Sequence, residues 1–271
     1  MIKIALPANM EKTTTLHLAK SGRPITFFPD QDLGTIDGEG ENIGDVIRLR
    51  SFDIPAEVSD SCDVGLVGLD WVKERELELG LGLKELDYWD YGRELLSSAP
   101  RLEVIIKDED PTNKIKSLRP GIVLGEQELL IKKYLEEQGW KGKVAIMGKD
   151  GVPGTPKELR KYCEGNGLLG IRIVHGKIGA LVRLGAGYGV MVSETDKTLR
   201  KYELKVLDKI MDTPVTLIAD LEAIQGIRTG PEIMRLHRGL SEAYYRHLNP
   251  EAEVRRRNTE TQIFSFASRE R

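Results

Sequence analysis

The chain has 271 residues, of which 40% are hydrophobic and 31% are charged, and its formal net charge is −3 at pH 7. This composition suits a globular protein with room for two lobes, and its charge gives no reason to expect a nucleic-acid partner. No apolar run reaches the roughly 18 residues of a membrane span. The chain starts on a strand without a signal segment, so we expect a cytoplasmic protein.

Cysteine and histidine usage points away from disulfides and metals. Cys62 and Cys163 are isolated, which favours free thiols in a reducing compartment over a disulfide. The four histidines show no metal-binding spacing.

The first hundred residues alternate strand and helix signals. Residues 2–6 are mostly apolar and predict the first strand, and residues 45–50 predict another. Residues 29–44 are rich in Gly and Asp, which predicts a long polar loop between them.

The following segment predicts a helix, a buried strand, a tight turn and a second helix. Asp53 is a suitable N-cap, and Pro55 lies in the first turn, where its missing N–H costs nothing. Residues 64–67 form a short apolar run, as expected of a parallel strand covered on both faces. Gly68 and Asp70 then open the next helix at the carboxyl end of that strand, where open α/β sheets bind ligands.

The same alternation resumes after residue 100 and predicts a second parallel sheet with helices on both faces. Residues 126–138 have the apolar spacing of a helix, with Gly139 as its stop. Thr155, Pro156 and Glu158 predict a capped helix start. Strands are predicted at 102–106, 121–125, 143–147, 171–174 and 189–192.

The C-terminal region differs in composition, since no lysine follows Lys209. Residues 230–248 predict an amphipathic helix that Asn249 and Pro250 end, and residues 261–266 alternate like an added strand. We expect the apolar stripe of the helix to make a subunit contact. The basic run at 255–257 is expected to be solvated or at that contact.

Two motifs together resemble those of the ATP phosphoribosyltransferase family. The first is D-I-P at 53–55 followed by D-x-G-x-x-G-x-D at 63–70, which resembles the first lobe of that family. The second is V-S-E-T-D-K-T-L-R at 192–200, which resembles the family's phosphate loop, T-G-x-T-L-R. Order and spacing agree over roughly residues 1–220.

The resemblance implies a two-lobed α/β fold of the type II periplasmic-binding class, with a ligand cleft between the lobes. We expect the chain to divide into lobe I at 1–102 plus about 215–229, lobe II with the phosphate loop at 103–214, and a C-terminal helix and tail at 230–271. It implies transfer of phosphoribosyl from phosphoribosyl pyrophosphate to ATP, with Mg²⁺, in the first step of histidine biosynthesis. The expected partners are a nucleotide or phosphorylated ligand and a second copy of the chain, as a dimer or higher homo-oligomer.

The chain departs from the family pattern at four places. Met191 stands where the family strand before the loop carries Asp, and Gly179 stands where the G-S-V-E segment has its acid. Asp196 replaces the loop glycine, and residues 8–10 replace a Lys-Gly-Arg. Gly179 and Met191 favour a second hypothesis, a paralogue with altered or lost catalysis that binds a nucleotide or other anionic metabolite as a sensor or regulator, or acts on another substrate. The overall scaffold favours the first hypothesis, phosphoribosyl transfer to ATP.

The candidate ligand-binding residues follow from these motifs, and no catalytic residue is assigned. The loop offers hydroxyls, a lysine and a helix start at Thr198, all favourable for an anion, although a plain capped helix is the alternative. Outside the loop, four candidates have a purely structural alternative: an N-cap for Asp70, a surface arginine for Arg93, and a polar βα turn for His175 and Lys177. The full set is Ser193, Glu194, Thr195, Asp196, Lys197, Thr198, Gly68, Asp70, Arg93, His175, Lys177 and Arg50.

Overall fold

The structure is a computed structural model that describes residues 1–38, 40–92, 99–140 and 142–250. The chain divides into two compact units, a first unit of Met1–Val67, Gly82–Ser98 and Val215–Arg271 and a second unit of Gly68–Leu81 and Ala99–Pro214. This division groups residues 68–81 and 99–102 with the second unit, whereas the sequence division placed both in the first lobe. It also groups the helix after residue 229 with the first unit.

Thirteen strands are described, in chain order β1 Ile2–Pro7, β2 Ile25–Phe27, β3 Leu33–Gly38, β4 Glu41–Leu49, β5 Val64–Gly68, β6 Lys84–Trp89, β7 Arg101–Lys107, β8 Gly121–Gly125, β9 Val144–Ile146, β10 Leu169–Ile173, β11 Tyr188–Ser193, β12 Leu204–Asp212 and β13 Val215–Ala219. The α-helices of the described residues are α1 Glu11–Lys20, α2 Ile54–Asp60, α3 Leu69–Leu79, α4 Glu128–Glu137, α5 Pro156–Asn166, α6 Ile178–Arg183, α7 Lys197–Tyr202, α8 Leu221–Gln225 and α9 Thr229–Ala243. None of these helices is both long and apolar enough to cross a lipid bilayer.

The first unit is built on a seven-stranded sheet in the order β2-β3-β4-β1-β5-β13-β6. Strand β1 lies inside it and pairs in parallel with β4 and β5, and every residue of β5 is buried. The predicted apolar strand at 64–67 is therefore confirmed, because a strand covered on both faces has no polar side.

The prediction of a polar loop at 29–44 is wrong, because most of this segment forms strand β3 and the start of β4. The two strands pair antiparallel, with Leu33 opposite Ile47, and Ile36 is completely buried in the core. Gly34 lies so close to β2 that an added Cβ would be 2.5 Å from the Thr26 carbonyl oxygen. The glycines that suggested a loop therefore allow close packing of strands instead.

Helix α9 packs into the core of the first unit, which corrects the role expected for its apolar stripe. Ile233, Leu236 and Leu240 are at most 1% exposed and belong to the same core as β1, whereas Met234 is 44% exposed. The stripe is buried against the chain itself, so it gives no support for a subunit contact. The predicted strand at 261–266 and the basic run at 255–257 lie outside the described residues.

The second unit has a six-stranded sheet in the order β12-β7-β11-β8-β10-β9. Strands β11, β8, β10 and β9 run parallel, as predicted, whereas β7 is antiparallel to both β11 and β12. The prediction of a wholly parallel sheet was therefore wrong at this edge, and β12 was not predicted.

Local capping signals are confirmed in the second unit and differ in the first. The Thr155 hydroxyl accepts a hydrogen bond from the Glu158 backbone N–H, at 3.3 Å, and donates one to the Glu158 carboxylate, at 2.6 Å. Asp53 holds the cap position of α2, but its side chain makes no capping hydrogen bond. Pro55 lies in the first turn of that helix, as predicted.

Candidate active site

The candidate site lies at one edge of the sheet of the second unit, namely the edge where the parallel strands have their carboxyl ends. The parallel strands β8, β10 and β11 all end at this edge, and because β7 is antiparallel its first residue, Arg101, lies there too, directly opposite Ser193. The loops that follow the three parallel strands, at 126–127, 174–177 and 194–196, therefore leave the sheet on the same side. Eight of the predicted residues belong to this edge by their place in the chain, namely the six at 193–198 together with His175 and Lys177.

The loop at 193–198 joins β11 to α7. Ser193 is 3% exposed and its hydroxyl oxygen has no hydrogen-bond partner, whereas Thr195 and Thr198 are half-buried. Helix α7 begins at Lys197, one residue before the predicted start, and Asp196 occupies its cap position without a side-chain capping bond. The φ of Asp196 is −72°, so replacing the family's glycine causes no backbone strain here and changes only the charge and the side chain.

Asp196 forms an ion pair that the sequence did not predict. Nη2 of Arg101 lies 3.5 Å from Oδ1 of Asp196, and Nε of the same arginine lies 3.2 Å from Oε1 of Glu103. The Glu103 side chain is 2% exposed and its second carboxylate oxygen has no hydrogen-bond partner. The sequence did contain a sign of this ion pair, because Glu103 is the one charged residue in the apolar run at 102–106. A charge in a buried strand needs a partner.

The two family departures in this region are both packed against neighbouring side chains. A Cβ added to Gly179, in α6, would be 3.1 Å from the Tyr202 ring and 3.5 Å from Leu204. Met191 packs with the apolar side chains around α6 and lies opposite Glu103 in the β7–β11 pair. Position 179 therefore has no room for an acidic side chain unless Tyr202 moves.

Asp70 lies at the start of α3 and is 2% exposed. Its Oδ2 accepts a hydrogen bond of 2.6 Å from the Gln127 side-chain amide, just after β8. Burial raises the pKa of Asp70 to about 7, opposed by hydrogen bonds from its own and the next backbone N–H and from Gln127. The cap position of α3 belongs to Gly68, where an added Cβ would be 2.5 Å from the Asp70 carboxylate, so the predicted N-cap alternative for Asp70 is wrong.

Glu74, one turn further along α3, caps the neighbouring helix α4. Its two carboxylate oxygens accept hydrogen bonds from the backbone N–H groups of Leu129 and Leu130, at 2.9 and 2.8 Å. Burial raises the pKa of Glu74, and these two hydrogen bonds oppose the increase. Asp70 and Glu74 thus attach α3 to the loop and helix that follow β8.

The turn at 175–177 is exposed and well defined. The Gly176 backbone N–H donates to the Glu126 carboxylate at 2.8 Å, which links the loops after β8 and β10. Lys177 has a φ of +55° and precedes α6, an uncommon conformation for a residue with a side chain. Both His175 and Lys177 lie at the surface of this turn.

Two predicted residues remain, Arg50 and Arg93. Arg50 is exposed in the first unit, where its guanidinium carbon lies 5.9 Å from the centre of the Phe52 ring. Arg93 lies outside the described residues. Within the described ranges, no group of three or more His, Cys, Asp or Glu side chains is arranged to hold a metal ion.

Solved structures show the fold class to which these two units belong. A chain of the ATP phosphoribosyl transferase (HisG:HisZ) complex from Thermotoga maritima is 16% identical with a TM-score of 0.62, covering 89% of this chain and 100% of that one. The periplasmic aliphatic sulphonate binding protein SsuA from Escherichia coli is 12% identical with a TM-score of 0.50, covering 98% of this chain and 73% of its own. The chain has the two-lobed α/β fold of type II periplasmic-binding proteins, as predicted.

The family follows from the sequence comparison. The sequence model of HisG, ATP phosphoribosyltransferase, matches residues 50–241, and the chain belongs to this family. The ATP phosphoribosyltransferase of Desulfatibacillum aliphaticivorans is 23% identical over 229 residues, which are 82% of this chain and 65% of that protein. The chain thus spans about two thirds of the length of that relative.

Proposed function

We propose that the chain is a phosphoribosyltransferase that joins the ribose C1 of phosphoribosyl pyrophosphate to N1 of ATP, in the first step of histidine biosynthesis. The family match over residues 50–241 is the observation that carries this proposal. In this reaction the C1–O bond to pyrophosphate breaks, a C1–N bond forms, and pyrophosphate leaves with the electron pair. The protein has to orient the two substrates and stabilise the negative charge of the leaving group.

The loop at 193–198 is the proposed pyrophosphate site. The half-buried hydroxyls of Thr195 and Thr198 are suitable hydrogen-bond donors, and Lys197 is exposed beside them. We assign His175 and Lys177, on the neighbouring turn, a supporting role toward the same anion. Asp70 and Gly68 hold α3 at this edge, and Asp70 acts by positioning because its carboxylate is buried against Gln127.

Mg²⁺ is part of the proposal. Proteins usually hold this ion through one or two carboxylates together with substrate phosphates. The residue that would hold it is Asp196, whose side chain is 55% exposed, after it has separated from Arg101. When bound, the ion supplies positive charge to the pyrophosphate.

A second candidate function is binding of a nucleotide or other anionic metabolite without this reaction. The close packing around Gly179 favours it, because even a Cβ at this position would come within 3.1 Å of the Tyr202 ring. Met191 likewise offers no carboxylate. If the protein is an enzyme, these two positions predict turnover well below the enzyme median of about 10 per second.

The deciding experiment is formation of phosphoribosyl-ATP by the purified chain with saturating ATP, phosphoribosyl pyrophosphate and Mg²⁺, with pyrophosphatase added to remove the product pyrophosphate. We expect product that depends on both substrates, at a low rate that falls further in Thr195→Ala with Thr198→Ala. Calorimetry with the same ligands separates the two candidates. Binding without product would favour the second, and neither binding nor product would overturn both.

Homo-oligomer formation is also proposed, as a dimer or larger assembly. The Thermotoga maritima neighbour is described as a HisG:HisZ complex, which supports association with another chain in general but not a homo-oligomer in particular. The buried stripe of α9 provides no support for a subunit contact either. Light scattering of the full chain tests homo-oligomer formation, and a monomeric mass at every concentration would contradict it.

A further inference from the structure

Arg101 connects a buried carboxylate of the sheet to an exposed carboxylate of the loop. On one side its Nε lies 3.2 Å from Glu103, whose side chain is 2% exposed. On the other side its Nη2 lies 3.5 Å from Asp196, whose side chain is 55% exposed. The Arg101 side chain as a whole is 40% exposed, so a ligand from solvent can reach it.

The two ion pairs of Arg101 differ in how readily they exchange. An exposed pair at 3.5 Å is weak and is screened by salt. A buried carboxylate, in contrast, needs its cation, because removing that partner leaves an uncompensated charge. Glu103 therefore holds the arginine in place, whereas Asp196 is a partner that a stronger anion can replace.

The loop needs a cation of this kind if it is to bind phosphate. Helix α7 has only six residues, so its N-terminus contributes little positive potential. Glu194 and Asp196 also bring two carboxylates to the loop. The guanidinium is a suitable group, since Nε faces Glu103 and the two Nη atoms remain to bind phosphate oxygens side by side.

Ser193 provides a second observation at the same place. It lies directly opposite Arg101 in the β7–β11 pair, so both side chains leave the same face of the sheet. Its hydroxyl oxygen is buried without a hydrogen-bond partner, as is the second carboxylate oxygen of Glu103. Unsatisfied polar atoms are uncommon in a folded core. Of these two groups only the Ser193 hydroxyl can donate a hydrogen bond to an anion, because the Glu103 carboxylate oxygen is an acceptor.

We propose that Arg101 is a phosphate-binding residue of this site, that Asp196 occupies its guanidinium in the ligand-free protein, and that Glu103 positions it. This inference rests on the proposed phosphate role of the loop at 193–198. It gives Asp196 a function: the carboxylate that replaces the family's glycine competes with the ligand and lowers the affinity for anions.

The test is calorimetric titration of the full chain with inorganic pyrophosphate at fixed ionic strength. We expect Arg101→Gln to weaken binding by about tenfold or more, as when a charge-assisted hydrogen bond is lost. Asp196→Asn should tighten binding by up to about fivefold, since an exposed ion pair of this kind is worth at most about that factor. In the Arg101→Gln background, Asp196→Asn should have less than about half of that effect on the logarithm of the affinity, because the pair is already absent.

Two further variants keep the result interpretable. Arg101→Lys preserves the charge beside Glu103, so it should fold as the wild type does but bind pyrophosphate less tightly, because the ammonium group cannot bind side by side. Glu232→Gln removes a similar surface pair, with Arg235 at 2.8 Å in the first unit, and should leave binding unchanged.

The outcomes separate this inference from the proposed function. Wild-type affinity in folded Arg101→Gln or Arg101→Lys, together with weakened binding in Thr195→Ala with Thr198→Ala, would overturn the role of Arg101 alone. Equal tightening by Asp196→Asn with and without Arg101 would overturn the competition between them. An absence of pyrophosphate binding in both the wild type and Asp196→Asn would overturn this inference and the phosphate role of the loop together.

Discussion

Asp70 should make the stability of the protein fall as the pH rises from about 4 to about 7. Burial raises its pKa from 3.8 to about 7, so between these values the folded chain holds a proton that the unfolded chain has lost. The unfolded state then binds fewer protons, and the free energy of unfolding decreases with pH. At about 1.4 kcal/mol for each pKa unit, the ionised Asp70 lowers the free energy of unfolding by about 4 kcal/mol above pH 7.

Equilibrium urea unfolding of the wild type and Asp70→Asn, at about pH 5 and about pH 8, measures this penalty. The difference in unfolding free energy should change by about 3 kcal/mol in favour of the variant over this range, because Asn carries no charge to desolvate. Carbon-13 NMR of labelled aspartate side chains gives the titration midpoint directly. Gln127→Leu is the matched control: it removes the amide that stabilises the charged form, so the midpoint should move upward.

A pH-independent difference between wild type and Asp70→Asn would refute this reasoning. So would a side-chain titration midpoint near the ordinary value of 3.8, since the folded and unfolded chains would then bind protons alike.

Two further predictions concern other buried groups of the fold. Glu74→Gln should lower the free energy of unfolding by about 1–3 kcal/mol, since an amide can accept only one of the two hydrogen bonds from α4. Hydrogen exchange at the amides of Leu129 and Leu130 should become faster in this variant. Unchanged exchange at these amides would contradict the prediction. Burial lowers the pKa of His17 from 6.5 to about 4, although the hydrogen bond to the Leu240 carbonyl and the charge of Asp87 raise it. Between these two pH values the unfolded chain therefore binds a proton that the folded chain does not bind. The free energy of unfolding should decrease by about 3 kcal/mol as the pH falls through this window. A His17 imidazole that titrates near 6.5 in proton NMR would contradict the second prediction.

Local patterns in the sequence predicted the elements whose causes are themselves local. The run at 64–67 became a fully buried strand, and Thr155 with Glu158 formed the expected cap of α5. Both depend on interactions between residues a few positions apart, or on a run of one chemical type, and such features are present in any short stretch of the chain. The motifs at 53–70 and 192–200 led to the family for the same reason, since each is a short contiguous pattern.

Tertiary structure alone decided which partners distant residues have. The loop expected at 29–44 became a hairpin because β4 offered a pairing edge, and the stripe of α9 found the core of the first unit rather than another subunit. The charge on Asp196 meets Arg101, 95 positions away, and Asp70 meets Gln127, 57 positions away. Burial and pairing at such separations depend on how the whole chain is folded, and the ionisation and ligand affinity of a site depend on both.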